Sequence, residues 1–244
     1  MLNYHKKNID YIHKLMNTTA PINTTTPINT TAPINTTAPI NTTVTPNYDE
    51  LKSIVDAMKL KENKLQRTNI MEKIHKEPTL TGKCILGRSL LTPQSTDMES
   101  ICRHDLHIGK PIDETSGDGS KNGLNYEIKI SVHARDSKLN FVQIRPDHNV
   151  DYYILIGYNM YADDELGKAH IFKIPSDALY DLVIQYGGYA HGTNSELGVI
   201  NHDTLKGRNC EYALRCNPNA TTGKNALLWN TMLTYEVPYE PSYF

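Results

Sequence analysis

The chain has 244 residues, with 25 Lys or Arg against 27 Asp or Glu, a formal net charge of -2, four Cys and an apolar fraction of 39%. No run of about 18 apolar residues exists to span a bilayer, four Cys are too few for a disulfide scaffold at this length, and the charge is not that of a polybasic tail. Met1 to Lys7 lead into a polar stretch instead of an apolar one, which predicts no secretory signal, no membrane association, and a cytoplasmic protein with free thiols.

Residues 1–16 read as a short helical or disordered segment. From Asn17 through Tyr48 no side chain is an acid or base apart from the tyrosine, and a hexapeptide recurs: Asn17-Thr18-Thr19-Ala20-Pro21-Ile22, copies starting at Asn23, Asn29 and Asn35, and a decaying fifth at Asn41. One Ile per repeat, each preceded by Pro, offers too little apolar surface to offset the entropy of ordering. Residues 17–48 are therefore expected to be a disordered linker and not the coils of a β-helix. The Asn-Thr-Thr triplets are formal glycosylation sequons, which without a signal peptide do not meet the machinery.

Residues 49–244 amount to one core's worth of chain. Leu51, Ile54, Val55 and Met58, then Ile70, Met71 and Ile74, recur at helical spacing up to a stop at Glu77-Pro78. Between Leu51 and Leu90 nine Lys or Arg stand against four Asp or Glu, a solvated helix face that would also suit phosphate contacts. Thr92-Pro93 and Ser95-Thr96-Asp97 look like a helix start ahead of Glu99. Leu124 to Val132 alternates, with Tyr126, Ile128, Ile130 and Val132 on one face and Asn125, Glu127, Lys129 and Ser131 on the other. Phe141 to Arg145 is a shorter strand, and Asp151 to Tyr158 is nearly all apolar, as a central strand covered on both faces would be. His170 to Ile174 is a further strand. Pro175-Ser176-Asp177 then opens a helix from Ala178 to Tyr186, closed by Gly187. This order predicts an α/β (α+β) fold, a mixed central β-sheet flanked by helices.

Asn122-Gly123 is the preferred pair for a two-residue type I′ hairpin. With that turn, Lys121 faces Leu124, Ser120 faces Asn125, Gly119 faces Tyr126 and Asp118 faces Glu127. Two carboxylates then share a face with Cβ atoms about 5 Å apart, and Lys129 follows about 7 Å along the strand. Such acids repel unless a cation lies between them, and all-oxygen ligation suits Mg²⁺. The lysine would orient a water or stabilise charge on a phosphorane-like transition state. The plainer alternative is a surface hairpin with an ordinary cross-strand salt bridge, worth about 1 kcal/mol or less. Gly117 and Gly119 would leave the backbone open to a close ligand. A zinc site from Cys102, His104 and His107 with Cys84, Cys210 or Cys216 matches no paired-knuckle spacing.

Asp118, eight intervening residues and Glu127-Ile128-Lys129 resemble the active-site signature of the PD-(D/E)XK nucleases, among them the type II restriction endonucleases. The resemblance runs in order from about Met98 to Ile174. It implies a restriction-endonuclease-like fold, with Asp118, Glu127 and the Ile128 carbonyl as Mg²⁺ ligands and Lys129 positioning the attacking water. Gly117 stands where the family has Pro. Pro111-Ile112-Asp113 supplies a Pro-x-Asp, but in the hairpin register Asp113 would face Val132, so Asp118 is favoured. Many such nucleases borrow a further carboxylate from a preceding helix, a role for Glu99 if it does not simply face solvent. Gln143, read as sharing a face with Phe141 and Arg145, would polarise the water, touch a phosphate or make a structural hydrogen bond.

The Gly-rich stretch Gly187 to Asn194, with His191, and the loop-like surroundings of Lys206, Arg208, Arg215 and Lys224 place base recognition in residues 187–230, because Arg reads guanine and Asn reads adenine in the major groove. Arg145, His191, Arg208 and Arg215 are the candidate DNA contacts. The expected function is a Mg²⁺-dependent, homodimeric type II restriction endonuclease that hydrolyses phosphodiester bonds of double-stranded DNA at a short specific sequence. The alternatives are a repair or recombination nuclease of the same fold, a non-catalytic DNA-binding protein, and a structural protein built on the repeat.

Overall fold

The computed structural model describes residues 64–89, 95–132, 138–159, 167–190, 198–207 and 209–244. The 1–16 segment, the 17–48 linker, the Leu51–Met58 pattern, Thr92-Pro93, His191 and Arg208 lie outside the described residues.

Among the described residues three helices come first: α1 (Lys64–Lys76), α2 (Leu80–Ser89) and α3 (Ser95–Asp105). The stop at Pro78 ends α1, but the chain restarts at once. Thr79 caps α2, its hydroxyl accepting the Gly82 N–H at 3.0 Å. Lys83, part of the basic run read as a solvated face, is buried: Nζ donates to the Ile74 carbonyl at the end of α1 and lies 3.0 Å from Asp105.

Four strands, β1 (Gly119–Lys121), β2 (Leu124–Ser131), β4 (Tyr152–Asn159) and β5 (Lys168–Pro175), form a mixed sheet in the order β1-β2-β4-β5, with only β2 and β4 parallel. A second, antiparallel sheet has the order β3-β7-β6, from β3 (Leu139–Ile144), β6 (Gly188–Tyr189) and β7 (Tyr212–Cys216). Between these strands lie α4 (Ser176–Tyr186) and α5 (His202–Leu205), and α6 (Gly223–Leu233) follows β7. The fold is thus α+β. Among the described residues no helix is long and apolar enough to cross a membrane.

The apolar run at Asp151–Tyr158 becomes the middle of the molecule, as its composition predicts. Tyr153 and Leu155 of β4 point into a core with Phe141, Phe172, Leu179, Val183, Tyr212 and Trp229. Ile154 and Ile156 point the other way, into a core with Leu80, Cys84, Cys102, Leu106, Tyr126 and Ile128. The mixed sheet is therefore the central layer, with α2 and α3 on one face and α4, α6 and the second sheet on the other. β5 is covered by the C-terminal segment, where Lys173 N–H donates to Tyr235 O and Val237 N–H donates to Ile171 O. That segment continues as a strap: Tyr239 hydroxyl donates to Asp105 Oδ2 at 2.7 Å, and the Pro241 and Tyr243 carbonyls accept from Lys121 and Lys173.

Two further expectations are corrected. Arg215 lies on β7 and Lys224 on α6, not in loops. Phe141, Gln143 and Arg145 do not share one face, because the β3–β7 register shifts between Phe141 and Ile144, where Gln143 takes φ 59°.

Candidate active site

Asn122 and Gly123 have φ of 55° and 79°, and the register that follows pairs Lys121 with Leu124, Ser120 with Asn125 and Gly119 with Tyr126, as the turn chemistry predicts. The ladder stops one residue short of Asp118. At Gly117 φ is +72°, and a Cβ there would lie 2.6 Å from the Tyr126 carbonyl oxygen and 3.1 Å from Glu127 Oε2. A Cβ on Gly119 would lie 2.3 Å from the Gly109 carbonyl. Both glycines, expected to leave room for a ligand, instead pack against the protein's own backbone.

Asp118 is held at three points. Its N–H donates to Tyr126 O at 2.8 Å, its carbonyl accepts from Arg103 Nη1 at 2.9 Å, and its Oδ2 accepts the Ile128 N–H at 2.7 Å. The N–H and C=O of one strand residue leave the strand on the same side. The Ile128 carbonyl therefore faces the same edge of β2 that Asp118 caps.

Glu127 and Lys129 share the other face of β2 from Ile128, with Lys129 Nζ 2.5 Å from Glu127 Oε1. The surface salt bridge weighed above is not what forms, since Asn125, Glu127 and Ser131 are all buried. Attraction in such a pair is offset by the desolvation of both charges. Burial pushes the Glu127 carboxyl above the ordinary carboxylate range; Lys129 opposes the shift, Asp118 reinforces it, and His148 opposes it more weakly.

α3 presents Glu99 and Arg103 one turn apart. Glu99 does not simply face solvent: burial pushes its carboxyl up to about 7, opposed by Lys129 and reinforced by Asp118 and Glu127. A carboxyl in that range can hold or release a proton near neutrality.

Asp118, Glu127 and the Ile128 carbonyl are hard oxygen donors of the kind that suit Mg²⁺. Among the described residues no three His, Cys, Asp or Glu side chains are grouped as a metal cage. An ion here would therefore use two carboxylates, the main-chain carbonyl and water. The four Cys are buried thiols outside any disulfide, Cys84 and Cys102 in one core and Cys210 and Cys216 in the other, and burial pushes the Cys102 thiol up to about 12.

The remaining sequence candidates spread out. Asp113 closes its own turn: its Oδ1 accepts from the Thr115 N–H, the Thr115 hydroxyl and the Ser116 hydroxyl, which holds its carboxyl below the usual range. Gln143 is exposed on the bulge. Arg145 gives Nε and Nη2 to Glu211 Oε1, and Arg215 Nε donates to Asn140 Oδ1 at 3.1 Å. Arg103 and His148 join the site without having been singled out for it. For Arg103 the signal was its spacing of four from Glu99; for His148 there was none, since it arrives by long-range packing. No protein-family model, curated protein or solved structure matches the chain.

Proposed function

We propose that the chain is a Mg²⁺-dependent endonuclease of the PD-(D/E)XK kind, acting in the cytoplasm as a type II restriction endonuclease that hydrolyses phosphodiester bonds of double-stranded DNA at a short specific sequence. The reading takes α3, β1, β2, β4 and β5 as its restriction-endonuclease-like core. The observation that carries it is the hydrogen bond from the Ile128 N–H to Asp118 Oδ2. It fixes one carboxylate against the strand that also bears the second carboxylate, the candidate carbonyl ligand and the lysine.

Asp118, Glu127 and the Ile128 carbonyl would hold Mg²⁺, which when bound supplies a Lewis acid and lowers the pKa of coordinated water. Arg103 keeps the Asp118 backbone in place. Lys129, paired with Glu127 in this structure, is the donor that orients the attacking oxygen, and its charge offsets the charge developing on the phosphate. Arg145 and Arg215, with His191 and Arg208, are the proposed DNA contacts, and a homodimer would match a two-fold symmetric site.

Incubating the purified protein with a sequenced plasmid, with Mg²⁺ and with EDTA, tests this. Discrete fragments that appear only with Mg²⁺ are expected. A smear would mean cutting without sequence specificity, and cleavage of branched DNA alone would favour a repair nuclease. Plasmid and branched DNA both intact at high enzyme concentration would end the nuclease reading.

A further inference from the structure

β3 and β7 form an antiparallel ribbon with two unlike faces. Leu139 and Phe141 of β3 turn inward with Leu214 and Cys216 of β7, into the core shared with β4, while Asn140 and Arg215 are exposed on the other face. Asn140 and Arg215 stand opposite each other in the register. The Asn140 N–H donates to Ser131 Oγ at 2.9 Å and so points away from β7. That makes the two a non-hydrogen-bonded pair, the kind that brings opposed side chains closest. Ser131 lies two residues beyond Lys129 on the polar face of β2, about 7 Å along the strand. The ribbon is thereby pinned to the strand that carries the candidate site.

Arg215 Nε donates to Asn140 Oδ1 at 3.1 Å, while its Nη1 and Nη2 make no hydrogen bond or ion pair among the described residues. A guanidinium carries its N–H donors in one rigid plane. Asn140 takes the donor on the side of that plane, which sets its orientation and leaves the distal Nη edge with two parallel N–H groups. Arg145, just past the end of β3, is held differently: it gives Nε and Nη2 to the Glu211 carboxylate, which offsets its charge. Asn140 is an uncharged acceptor, so Arg215 is oriented with its charge intact.

We infer that Arg215 reads a guanine of double-stranded DNA from the major groove, and that Asn140 is the residue that positions it to do so. The inference rests on the DNA-binding part of the nuclease reading and not on cleavage. In the major groove guanine presents two acceptors, O6 and N7, which match two parallel N–H donors, whereas adenine sets a donor beside its N7. The major groove admits a two-stranded β-ribbon, so an exposed ribbon face is a shape that can reach the base edges. A phosphate would also accept two N–H donors. Val142, exposed two residues along β3 from Asn140, argues for the base: an apolar side chain gains from a thymine methyl and gains nothing from a phosphate.

The test is selection by the full chain from a library of randomised DNA duplexes, with Ca²⁺ in place of Mg²⁺, followed by sequencing of the bound fraction. The wild type is expected to enrich a motif that contains a fixed G·C pair. Arg215→Ala should lower the preference for that guanine about 10- to 100-fold and leave the other positions as they were. Arg215→Lys, which keeps the charge and loses the fork, should relax the same position. Asn140→Ala should weaken that position too, and the double variant Asn140→Ala, Arg215→Ala should lose no more than Arg215→Ala alone. Both side chains are exposed, so thermal melting of the variants should match the wild type. A uniform loss across all sequences in Arg215→Ala, rescued by Arg215→Lys, would make the contact a phosphate and overturn the inference, as would an unchanged motif. Additive losses in the double variant would remove the positioning role of Asn140. A wild type that binds duplexes without base preference, or not at all, overturns the inference whole. A wild type that enriches a motif and loses its guanine in Arg215→Ala, yet cuts no DNA with Mg²⁺, upholds it while the nuclease reading fails.

Discussion

On one face of β2, Tyr126 and Ile128 pack with Ile154, Ile156 and Ile171 against α2 and α3; on the other, Asn125, Glu127 and Ser131 are buried too, at 5–7% exposure against 0–1% for Tyr126 and Ile128. The first face is stabilising in the usual way, by removing apolar surface from water. The second keeps a carboxylate and an ammonium where both lose hydration, and the displaced Glu127 titration is the result. Burial therefore has opposite meanings on the two faces, and variants on them should separate stability from activity.

The largest effect is expected from the double substitution Glu127→Gln, Lys129→Met. Single-turnover cleavage should fall at least about a thousandfold, while thermal melting should change little or rise, because no unpaired charge remains buried. Comparable losses of both would make the polar face structural. Ile154→Ala, on the apolar face, should do the reverse. Its cost in a denaturant melt should be about 2–5 kcal/mol, with the folded fraction still cutting.

A smaller effect concerns Glu99, whose carboxyl titrates in the fold at about 7 against an ordinary 4.5. Between those values the folded protein keeps a proton that the unfolded chain has released. Stability should thus fall as pH rises from about 4.5 to about 7 and level off above. Glu99→Gln should flatten that slope, and identical pH profiles for variant and wild type would return Glu99 to solvent. The smallest change should come from deleting Asn17 to Pro46, expected to leave cleavage and melting nearly untouched. Abolished function would instead favour a protein built on the repeat.

The two faces also differ in what the sequence discloses. The Asn122-Gly123 pair carries its own backbone preference, so the hairpin, its register and the approach of Asp118 to β2 follow from local chemistry. The uninterrupted apolar run at 151–158 announces a strand covered on both sides. What the alternation of β2 hides is that its polar side is covered too, by β3 and the residues just after it folding back over that face, while the last third of the chain is hard to read for a separate reason. β7 is five residues long, and α6 opens at Gly223 with φ +76° and no side-chain cap hydrogen bond at Thr222, so neither stands out from the surrounding Asn- and Thr-rich loops. The bulge at Gln143 breaks the period from which a face would be read. Asn125 is tied to Asn149 and Asp151 by hydrogen bonds that no spacing of residue types encodes.

The strap over the hairpin bears on when the site can exist. Lys121 closes β1 by donating to the carbonyl of Pro241, 120 residues further on, and Asp105, at the end of the helix carrying Glu99 and Arg103, receives the Tyr239 hydroxyl 134 residues later. A ribosome delivers the chain from one end, and contacts so far apart form late. The hairpin can turn as soon as it emerges, but its anchor arrives only after both sheets and α6 have been made. A chain that cuts DNA would in this way complete its reactive edge late, once translation has passed Pro241.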